Sequence, residues 1–244
     1  MPAVYCNSIG NIVWYKASAD SFILNTTVDV WRVPVSLDPQ LLNYFRTTLH
    51  PDELDKAMRY HHEKDMQRFI TSRATLRLLL GKYLDKPPGD IQLIKGTNKK
   101  PFVQITGVID LHYNISHSGD WILIAVSDAE IGVDVEKIDH QFSYEDILRM
   151  SFSAPEINAI KKSSSPGTYF YLHWTRKEAL IKATAKGLDD DLTSIPCLDG
   201  LHTISAEIAG TAASWTVSSF EVGDDYIGSV AYQPIKKNIR FLEL

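Results

Sequence analysis

The stretch from His173 to Leu188, HWTRKEALIKATAKGL, constrains the fold of this chain most, because its residues favour one secondary structure throughout. Lys, Glu, Ala, Leu and Ile are good helix formers, and Gly187 is typical of the position just past a helix C-terminus. Trp174, Glu178 and Lys182 are spaced four residues apart, so they share one stripe of that helix. The stripe offers an aromatic ring, then a carboxylate, then an ammonium group.

A second stretch, IGVDVEKI at 131–138, carries two carboxylates, on Asp134 and Glu136. On a strand both would point to one side, while the neighbouring valines point to the other. Together with Glu178 they would make an all-oxygen site, which suits a hard divalent cation, Mg²⁺ above all when phosphates complete its shell. Lys182, one helical turn beyond Glu178, could then contact a phosphate that the metal holds.

Both motifs also have an ordinary structural interpretation. A KEALIK run is, by itself, most often a solvated helix with a charge pair. An isolated D-x-E near a strand end is more often surface than metal site, because short motifs match by chance. A functional interpretation therefore needs support from other parts of the chain.

Composition restricts the class of protein. The chain has 244 residues, 44% hydrophobic and 23% charged, which fits a soluble globular protein of one large or two small domains. The net charge of −5 gives no general case for binding nucleic acid or an anionic membrane, so an anion site must be a local cluster of Lys and Arg. Cys6 and Cys197 show neither metal-ligand spacing nor a disulfide framework, which favours a reducing compartment. Because the N-terminus lacks a signal-peptide pattern and the longest apolar run, at 121–126, is too short for a bilayer, we predict a cytoplasmic protein.

Hydrophobic periodicity and turn residues predict an α+β chain. Helices are expected at 37–49, 51–65, 66–84 and 144–150, and in segments that begin at Ser153 and Tyr169. Strands are expected at 28–35, 91–94, 111–118, 121–126, 131–138, 201–209, 214–222, 225–233 and 238–244, with another that begins near Phe102. The strands between 111 and 138 are predicted to form an antiparallel meander.

A weak internal repeat predicts the architecture. Pro51-Asp-Glu and Pro155-Glu-Ile recur about 100 residues apart, and Arg73 aligns with Lys177 at a similar spacing. Each half would contain paired helices followed by an antiparallel hairpin, giving two similar α+β lobes about a pseudo-twofold axis. We predict an N-terminal lobe at 1–128 and a C-terminal lobe at 129–244, with the active site in the cleft between them. Since one chain would form that cleft, we predict a monomer.

Five elements follow one another along the chain: RFITSRATLR (68–77), KKPF (99–102), NISHSGDW (114–121), GVDVE (132–136) and WTRKEALIKA (174–183). In this order and at these separations they resemble the 4′-phosphopantetheinyl transferase superfamily, in its larger pseudo-dimeric type, the type that activates surfactin synthetase. The resemblance covers about residues 50 to 190. The sequence departs from the family pattern at Thr184 and Ala185, where an apolar residue and a glycine are usual.

The resemblance implies a reaction. Coenzyme A would give its phosphopantetheine arm to a serine hydroxyl of a carrier protein and leave 3′,5′-ADP. Mg²⁺, or Mn²⁺ in its place, would be held by Asp134, Glu136 and Glu178 and would bridge the pyrophosphate oxygens. Lys182 would add a positive charge at the pyrophosphate, and Glu178, or a metal-bound water that it orients, would take the serine proton.

The resemblance also implies ligands for the rest of coenzyme A. The residues expected around the 3′-phosphate and the adenosine are Ser116, His117, Arg68, Arg73 and Lys100. Lys177 is either a solvated lysine or a further phosphate contact. Asn114 is expected to hold a local turn, and Trp174 is expected to be part of the core.

The partner that the resemblance implies is an apo acyl or peptidyl carrier protein. Such carriers are small acidic helical bundles, so the docking surface should mix apolar and basic residues. Lys161, Lys162 and the region of Phe152 are the candidates.

Two other functions compete with a transferase. A non-catalytic regulator that binds coenzyme A or a nucleotide would have the same fold, but a decayed enzyme would lose part of the acidic and lysine set. A Mg²⁺-dependent nuclease or phosphohydrolase could use the three carboxylates, but the acidic net charge and the lack of a basic stripe weigh against nucleic acid.

Overall fold

A computed structural model describes residues 1–24, 27–96, 100–104, 111–185, 191–233 and 238–244. Its helices are α1 (Pro39–Thr48), α2 (Pro51–Ala57), α3 (Glu63–Leu84), α4 (Glu145–Ser151), α5 (Ala154–Lys162), α6 (Pro166–Thr184) and α7 (Ala206–Ala209). Its strands are β1 (Ala3–Ser8), β2 (Tyr15–Lys16), β3 (Thr27–Pro34), β4 (Leu93–Lys95), β5 (Pro101–Val103), β6 (His112–Ser118), β7 (Trp121–Ser127), β8 (Ile131–Lys137), β9 (Gly200–Thr203), β10 (Trp215–Gly223), β11 (Tyr226–Tyr232) and β12 (Asn238–Glu243). Within these ranges no helix is both long and apolar enough to cross a membrane.

The order of the strands repeats between two five-stranded sheets. Sheet A has the order β8-β11-β10-β1-β9, and sheet B has the order β2-β12-β3-β7-β6. The series β8-β11-β10 in sheet A corresponds to β3-β7-β6 in sheet B, with each pair of equivalent strands about 100 residues apart. Helix α3 precedes its hairpin as α6 precedes the second one. The predicted α+β fold of two similar halves is confirmed.

The two halves share a core. Strands β3 and β7 of sheet B and strands β8, β10 and β11 of sheet A bury apolar side chains in one common cluster, which includes Val30, Leu123, Val133, Phe220 and Val230. Helix α3 covers the outer face of sheet B through Leu76, Leu79 and Leu80, and α6 covers sheet A through Ala179, Leu180 and Ala183. The layers therefore run helix, sheet, sheet, helix.

Two connections differ from the sequence-based expectation. Strands β6 and β7 form the predicted hairpin in sheet B. Strand β8 belongs to sheet A, where it pairs with β11 and not with β7, so the predicted meander is wrong. Alternating hydrophobicity predicts a strand but not its partner, and β8 opens the second repeat instead of closing the first. Each end of the chain also joins the opposite half: β1 lies beside β10, and β12 lies beside β3. The division of the chain at residue 128 stays a prediction.

Helix ends follow local chemistry. As predicted, α5 begins with a capping box, in which the backbone N–H of Ser153 donates to Oε2 of Glu156 over 2.9 Å. Helix α6 ends earlier than predicted, at Thr184, and the next residue, Ala185, has a φ of 56°, a left-handed conformation that favours glycine. Gly187 and Leu188, which were expected to end this helix, lie outside the described residues.

Two predicted elements are divided. The helix expected at 51–65 is interrupted between Ala57 and Glu63. The strand expected at 201–209 becomes β9 followed by the short helix α7, which Ser205 caps by accepting the Ile208 N–H over 3.2 Å. Ser205 begins a new helix by capping it, which the hydrophobic pattern does not reveal, whereas His62, which precedes α3, makes no side-chain capping bond.

Candidate functional site

One cavity, of about 450 Å³, is lined by residues from both halves of the chain. Helices α2 and α3 and strand β6 form one side, and β8 and α6 form the other. Seven of the residues predicted from the sequence line it: Arg73, Ser116, His117, Asp134, Glu136, Glu178 and Lys182. The cavity therefore occupies the cleft in which the active site was predicted.

The stripe on α6 faces this cavity. Trp174, Glu178 and Lys182 all line it, as their four-residue spacing predicts for a helix. Trp174 is half-buried and stacks on Phe170, with ring centroids 6.1 Å apart. Its indole is thus part of the core, as expected, and also a wall of the cavity.

Strand β8 brings its carboxylates to the same place. Asp134 and Glu136 line the cavity, while Val133 and Val135 are buried in the shared core on the other side of the strand. Gly132 explains how close β8 lies to α6, because a Cβ atom there would lie 2.1 Å from the carbonyl oxygen of Ala179. Only glycine permits this approach, which places the acidic side chains of β8 beside Glu178.

Asp134 is the most enclosed of the three acids, with 3% of its surface exposed. Its Oδ1 accepts hydrogen bonds from the Lys182 ammonium at 2.6 Å and from the Ser116 hydroxyl at 2.8 Å. The Lys182 ammonium also donates to Ser116 Oγ at 3.0 Å. Oδ2 of Asp134 is buried and has no hydrogen-bond partner among the described residues. One oxygen of a buried carboxylate is therefore left for a cationic or donor ligand.

The pKa values of Glu136 and Glu178 are both raised above the ordinary value of a glutamate. Burial, reinforced by the negative charge of Asp134, raises the pKa of Glu136 to about 7. Burial and the same charge also raise the pKa of Glu178, although Lys182 opposes this shift. Oε2 of Glu136 accepts a hydrogen bond from Ser118 at 2.8 Å. Additional negative charge is therefore costly in this cluster, and a bound cation would stabilise the ionised carboxylates.

The three acids do not form a complete metal site by themselves. In the described part of the chain no group of three His, Cys, Asp or Glu side chains is placed to hold an ion. Lys182 occupies one oxygen of Asp134 instead. A metal held here would therefore need further oxygen ligands from water or substrate.

The side of the cavity that α2 and α3 form is basic and aromatic. Arg73 and Lys56 line it together with Phe69 and Tyr60. The Lys56 ammonium lies 5.0 Å from the centre of the Phe69 ring, and the Arg73 guanidinium lies 5.8 Å from it. Lys56 is not among the residues predicted from the sequence, because a single lysine on a short helix has no distinctive spacing. This side of the cavity suits an anionic group attached to a flat ring.

Two further predicted residues, His117 and Arg68, interact with each other electrostatically. His117 lines the cavity. Although part of its ring is exposed, the surrounding protein and then the Arg68 charge lower the pKa of His117. Arg68 itself forms an ion pair with Asp65 and is not among the lining residues. His117 is therefore harder to protonate than an ordinary histidine.

Two lysines predicted to contact coenzyme A are placed elsewhere. Lys177 is fully buried, and its ammonium donates to Glu156 Oε2 at 3.0 Å and to the carbonyl oxygens of Leu192 and Ile195. The structure therefore does not support its predicted contact with phosphate, because three protein acceptors already surround it. The ammonium of Lys100 is likewise surrounded by protein acceptors.

The ammonium of Lys100 lies outside the cavity. It pairs with Glu130 and donates to the carbonyl oxygens of Ile131 at 3.2 Å and Ala183 at 2.9 Å. It thus joins the start of β8 to the end of α6. Lys99, the preceding residue of the KKPF element, lies outside the described residues.

Two further expectations are corrected. Asn114 does not hold a turn: its Oδ1 accepts the backbone N–H of Val133 at 2.9 Å and so joins β6 to β8 across the two sheets. Phe152 is 2% exposed and packs in a core cluster, so its side chain cannot contact a partner protein. Lys161 and Lys162 are exposed at the end of α5, as the docking hypothesis requires.

A larger groove, of about 930 Å³, contains none of the predicted site residues. Its charged lining includes Glu221, Asp224 and Asp225, and its arginine, Arg32, already pairs with Glu243 at 2.8 Å. An acidic rim of this kind repels polyphosphates. The smaller cavity is therefore the candidate active site.

Comparisons with known proteins agree with the motifs. A family model described as the 4′-phosphopantetheinyl transferase superfamily matches residues 130–231, and one described as 4′-phosphopantetheinyl transferase, N-terminal, matches residues 38–129. The 4′-phosphopantetheinyl transferase HetI of Nostoc sp. is 27% identical over 226 residues, covering 89% of this chain and 92% of HetI.

Two Bacillus subtilis proteins are also similar. The 4′-phosphopantetheinyl transferase Sfp is 29% identical over 187 residues, covering 75% of this chain and 81% of Sfp. Another 4′-phosphopantetheinyl transferase of that organism is 30% identical over 179 residues, covering 72% of this chain and 78% of the relative. The chain therefore belongs to the 4′-phosphopantetheinyl transferase superfamily and is an enzyme of its larger, Sfp-like type.

Proposed function

We propose that the protein transfers the 4′-phosphopantetheine arm of coenzyme A to a serine of an apo acyl or peptidyl carrier protein, in a Mg²⁺-dependent reaction that releases 3′,5′-ADP. The observation that carries this proposal is the division of charge within one cavity. Asp134, Glu136 and Glu178 come from β8 and α6 on one side of the cavity, and Arg73 and Lys56 come from α3 and α2 on the other. Coenzyme A has a matching layout, since its pyrophosphate needs a metal and its adenosine carries a 3′-phosphate.

The residues present fit a magnesium ion. Asp134 Oδ2 is buried without a partner among the described residues, and a cation would supply what it lacks. Mg²⁺ is usually held by one or two carboxylates together with water and substrate phosphates, so three acids without a complete protein cage suit it. Asp134, Glu136 and Glu178 would hold the ion; Mn²⁺ has the same oxygen preference. When bound, the ion would neutralise negative charge on the pyrophosphate as 3′,5′-ADP leaves.

Glu178 would act as the general base. Its carboxylate lines the cavity and interacts with Asp134 and Lys182, so it, or a water that it orients, would be placed to take the serine proton. Lys182 would bind the pyrophosphate as a point charge, since its ammonium already lies in the cavity beside Asp134. Arg73, with Lys56 and His117, would hold the adenosine and its 3′-phosphate.

A mass measurement tests the proposal. The protein is incubated with coenzyme A, Mg²⁺ and an apo carrier protein, and we expect the carrier to gain the mass of one phosphopantetheine group. Coenzyme A binding without a mass gain would support a non-catalytic regulator, and hydrolysis with an unchanged carrier would support a phosphohydrolase. Glu178→Gln is expected to abolish transfer and to retain much of the affinity for coenzyme A; near-normal turnover would reject the role of Glu178.

The same experiment identifies the carrier class, because fatty acid, polyketide and peptide carriers can be compared under one set of conditions. We further propose a monomer, since the cleft is formed by two halves of one chain. We also propose a cytoplasmic location, which the two free cysteines, Cys6 and Cys197, support. Size-exclusion chromatography with light scattering checks the monomer directly.

A further inference from the structure

Strand β6 meets β8 through a row of polar side chains. Asn114, Ser116 and Ser118 alternate along β6, so they point to the same side of that strand. Asn114 accepts the Val133 N–H, and Ser116 donates to Asp134. β6 belongs to sheet B and β8 to sheet A, so this row fixes one half of the protein against the other.

Ser118 is the last member of the row, and its hydroxyl makes two bonds at once. Its Oγ accepts the backbone N–H of Lys137 at 3.1 Å and donates to Oε2 of Glu136 at 2.8 Å. A hydroxyl has a single proton, and a backbone N–H can only donate. The Lys137 N–H therefore occupies an acceptor position on Oγ, and the hydroxyl proton is directed at Glu136.

We propose that Ser118 is a positioning residue that orients Glu136 for metal binding. This inference depends on the metal role of Glu136 given in the proposed function. The side chain of Glu136 has three rotatable bonds, and a fixed partner on one oxygen restricts the direction of the other. Residues that orient metal-binding carboxylates contribute about 10- to 100-fold to metal affinity in other proteins.

The chain offers a matched control. Ser143 is exposed, and its hydroxyl donates to Oε2 of Glu145 at 2.9 Å, which is the same type of bond between residues that do not line the cavity. Ser143→Ala removes that bond without touching the site. Ser118→Thr keeps a hydroxyl on the same carbon, and Ser118→Cys keeps the volume but is a weak donor.

The test measures Mn²⁺ binding to the protein alone, from the paramagnetic resonance signal of the free ion. We expect Ser118→Ala and Ser118→Cys to raise the apparent Kd for Mn²⁺ by about 10-fold or more, with Ser118→Thr within about 3-fold of the wild type. Ser143→Ala should bind as the wild type does. In the transfer assay, added Mg²⁺ should restore much of the turnover of Ser118→Ala, and the KM for the carrier should not change.

Three results would overturn the inference. Unchanged Mn²⁺ affinity in both Ser118→Ala and Ser118→Cys would remove the positioning role. An equal loss in Ser118→Thr would show that the hydroxyl is not the cause. Glu136→Gln separates the inference from the proposed function: if that variant binds Mn²⁺ as the wild type does, the metal role of Glu136 itself is wrong, and the inference is wrong with it.

Discussion

The ammonium of Lys182 lies 2.6 Å from Oδ1 of Asp134, and both groups contact the hydroxyl of Ser116. The Asp134 side chain is 4% exposed, so this lysine is the counter-ion of a buried charge. In the proposed reaction Lys182 also binds the pyrophosphate. One side chain therefore pairs with Asp134 and, in the proposed reaction, would also bind the substrate.

We expect Lys182→Met to lower the free energy of unfolding by about 2 kcal/mol at neutral pH, because Asp134 would remain buried without its counter-ion. Lys182 is 29% exposed, so the loss should be smaller than for a fully buried pair. Mg²⁺ should then stabilise the variant more than it stabilises the wild type. Urea unfolding with and without Mg²⁺ measures both effects, and Lys162→Met is the exposed control. Equal Mg²⁺ effects in wild type and variant would contradict the proposed metal position.

A second ion pair, between Lys177 and Glu156, is structural. Both side chains are almost fully buried, at 1% and 5% exposure, and Glu156 also accepts the Cys197 N–H at 3.1 Å. We expect Lys177→Met to lower the free energy of unfolding by about 3–5 kcal/mol, because it leaves the buried carboxylate of Glu156 without a counter-ion. Adding Glu156→Gln should recover part of that loss, which urea unfolding of the single and double variants can measure. A stable Lys177→Met with a raised KM for coenzyme A would instead restore the phosphate contact predicted from the sequence.

These two lysines show how far the sequence could predict the site. The spacing of Trp174, Glu178 and Lys182 was sufficient to place them on one helix face, because helical geometry alone determines it. Lys177 directly precedes Glu178 and carries the same charge as Lys182. It does not line the cavity but is buried among protein acceptors, which include Glu156 and the carbonyl oxygen of Leu192. Periodicity identifies the side of a helix; what lies against that side depends on tertiary contacts. Lys56 was missed for the same reason.

Gly132 illustrates a second limit. It precedes the two carboxylates in the GVDVE motif, yet its role is visible only once α6 is packed on β8. Similarly, the N-terminal strand β1 pairs with β10 of the second half, and the C-terminal strand β12 pairs with β3 of the first half. The sequence does not predict these pairings, because a hydrophobic pattern indicates a strand but not the strand beside it. The predicted repeat was nevertheless sufficient for the architecture, since the strand orders of the two halves match.

We expect Gly132→Ala to destabilise the protein by about 1–3 kcal/mol and to reduce transfer strongly. The new methyl group would lie 2.1 Å from Ala179 O and 2.4 Å from Ala183 N, so α6 must move away from β8. That movement separates Glu178 from Asp134 and Glu136. Gly89→Ala is the control, because nothing lies within 4 Å of a Cβ atom there. Thermal unfolding and the carrier assay measure the two effects; equal behaviour of both variants would contradict the close packing.

Charge reversal at the end of α5 tests the carrier surface. Lys161 and Lys162 are exposed basic residues outside the cavity, and an acidic carrier would be attracted to them. We expect Lys161→Glu with Lys162→Glu to raise the KM for the carrier several-fold and to leave the KM for coenzyme A unchanged. The increase should be smaller at high salt, because exposed charges are screened. Unchanged carrier kinetics at low salt would exclude this surface.

His173 should make the stability of the protein depend on pH. Its Nδ1–H donates to the carbonyl oxygen of Cys197 at 2.9 Å, and burial, together with the Arg176 charge, lowers the pKa of His173 to about 4. In the unfolded chain a histidine has a pKa of about 6.5, so the unfolded state binds the proton first as the pH falls. This group should therefore leave stability unchanged above pH 6.5 and remove about 3 kcal/mol between about pH 6.5 and pH 4. Urea unfolding of the wild type and of His173→Gln measures it: the variant should lose less stability over this range, while the exposed control His61→Gln should follow the wild type. Parallel curves for all three proteins would mean that His173 accepts a proton in the folded state as readily as in the unfolded one.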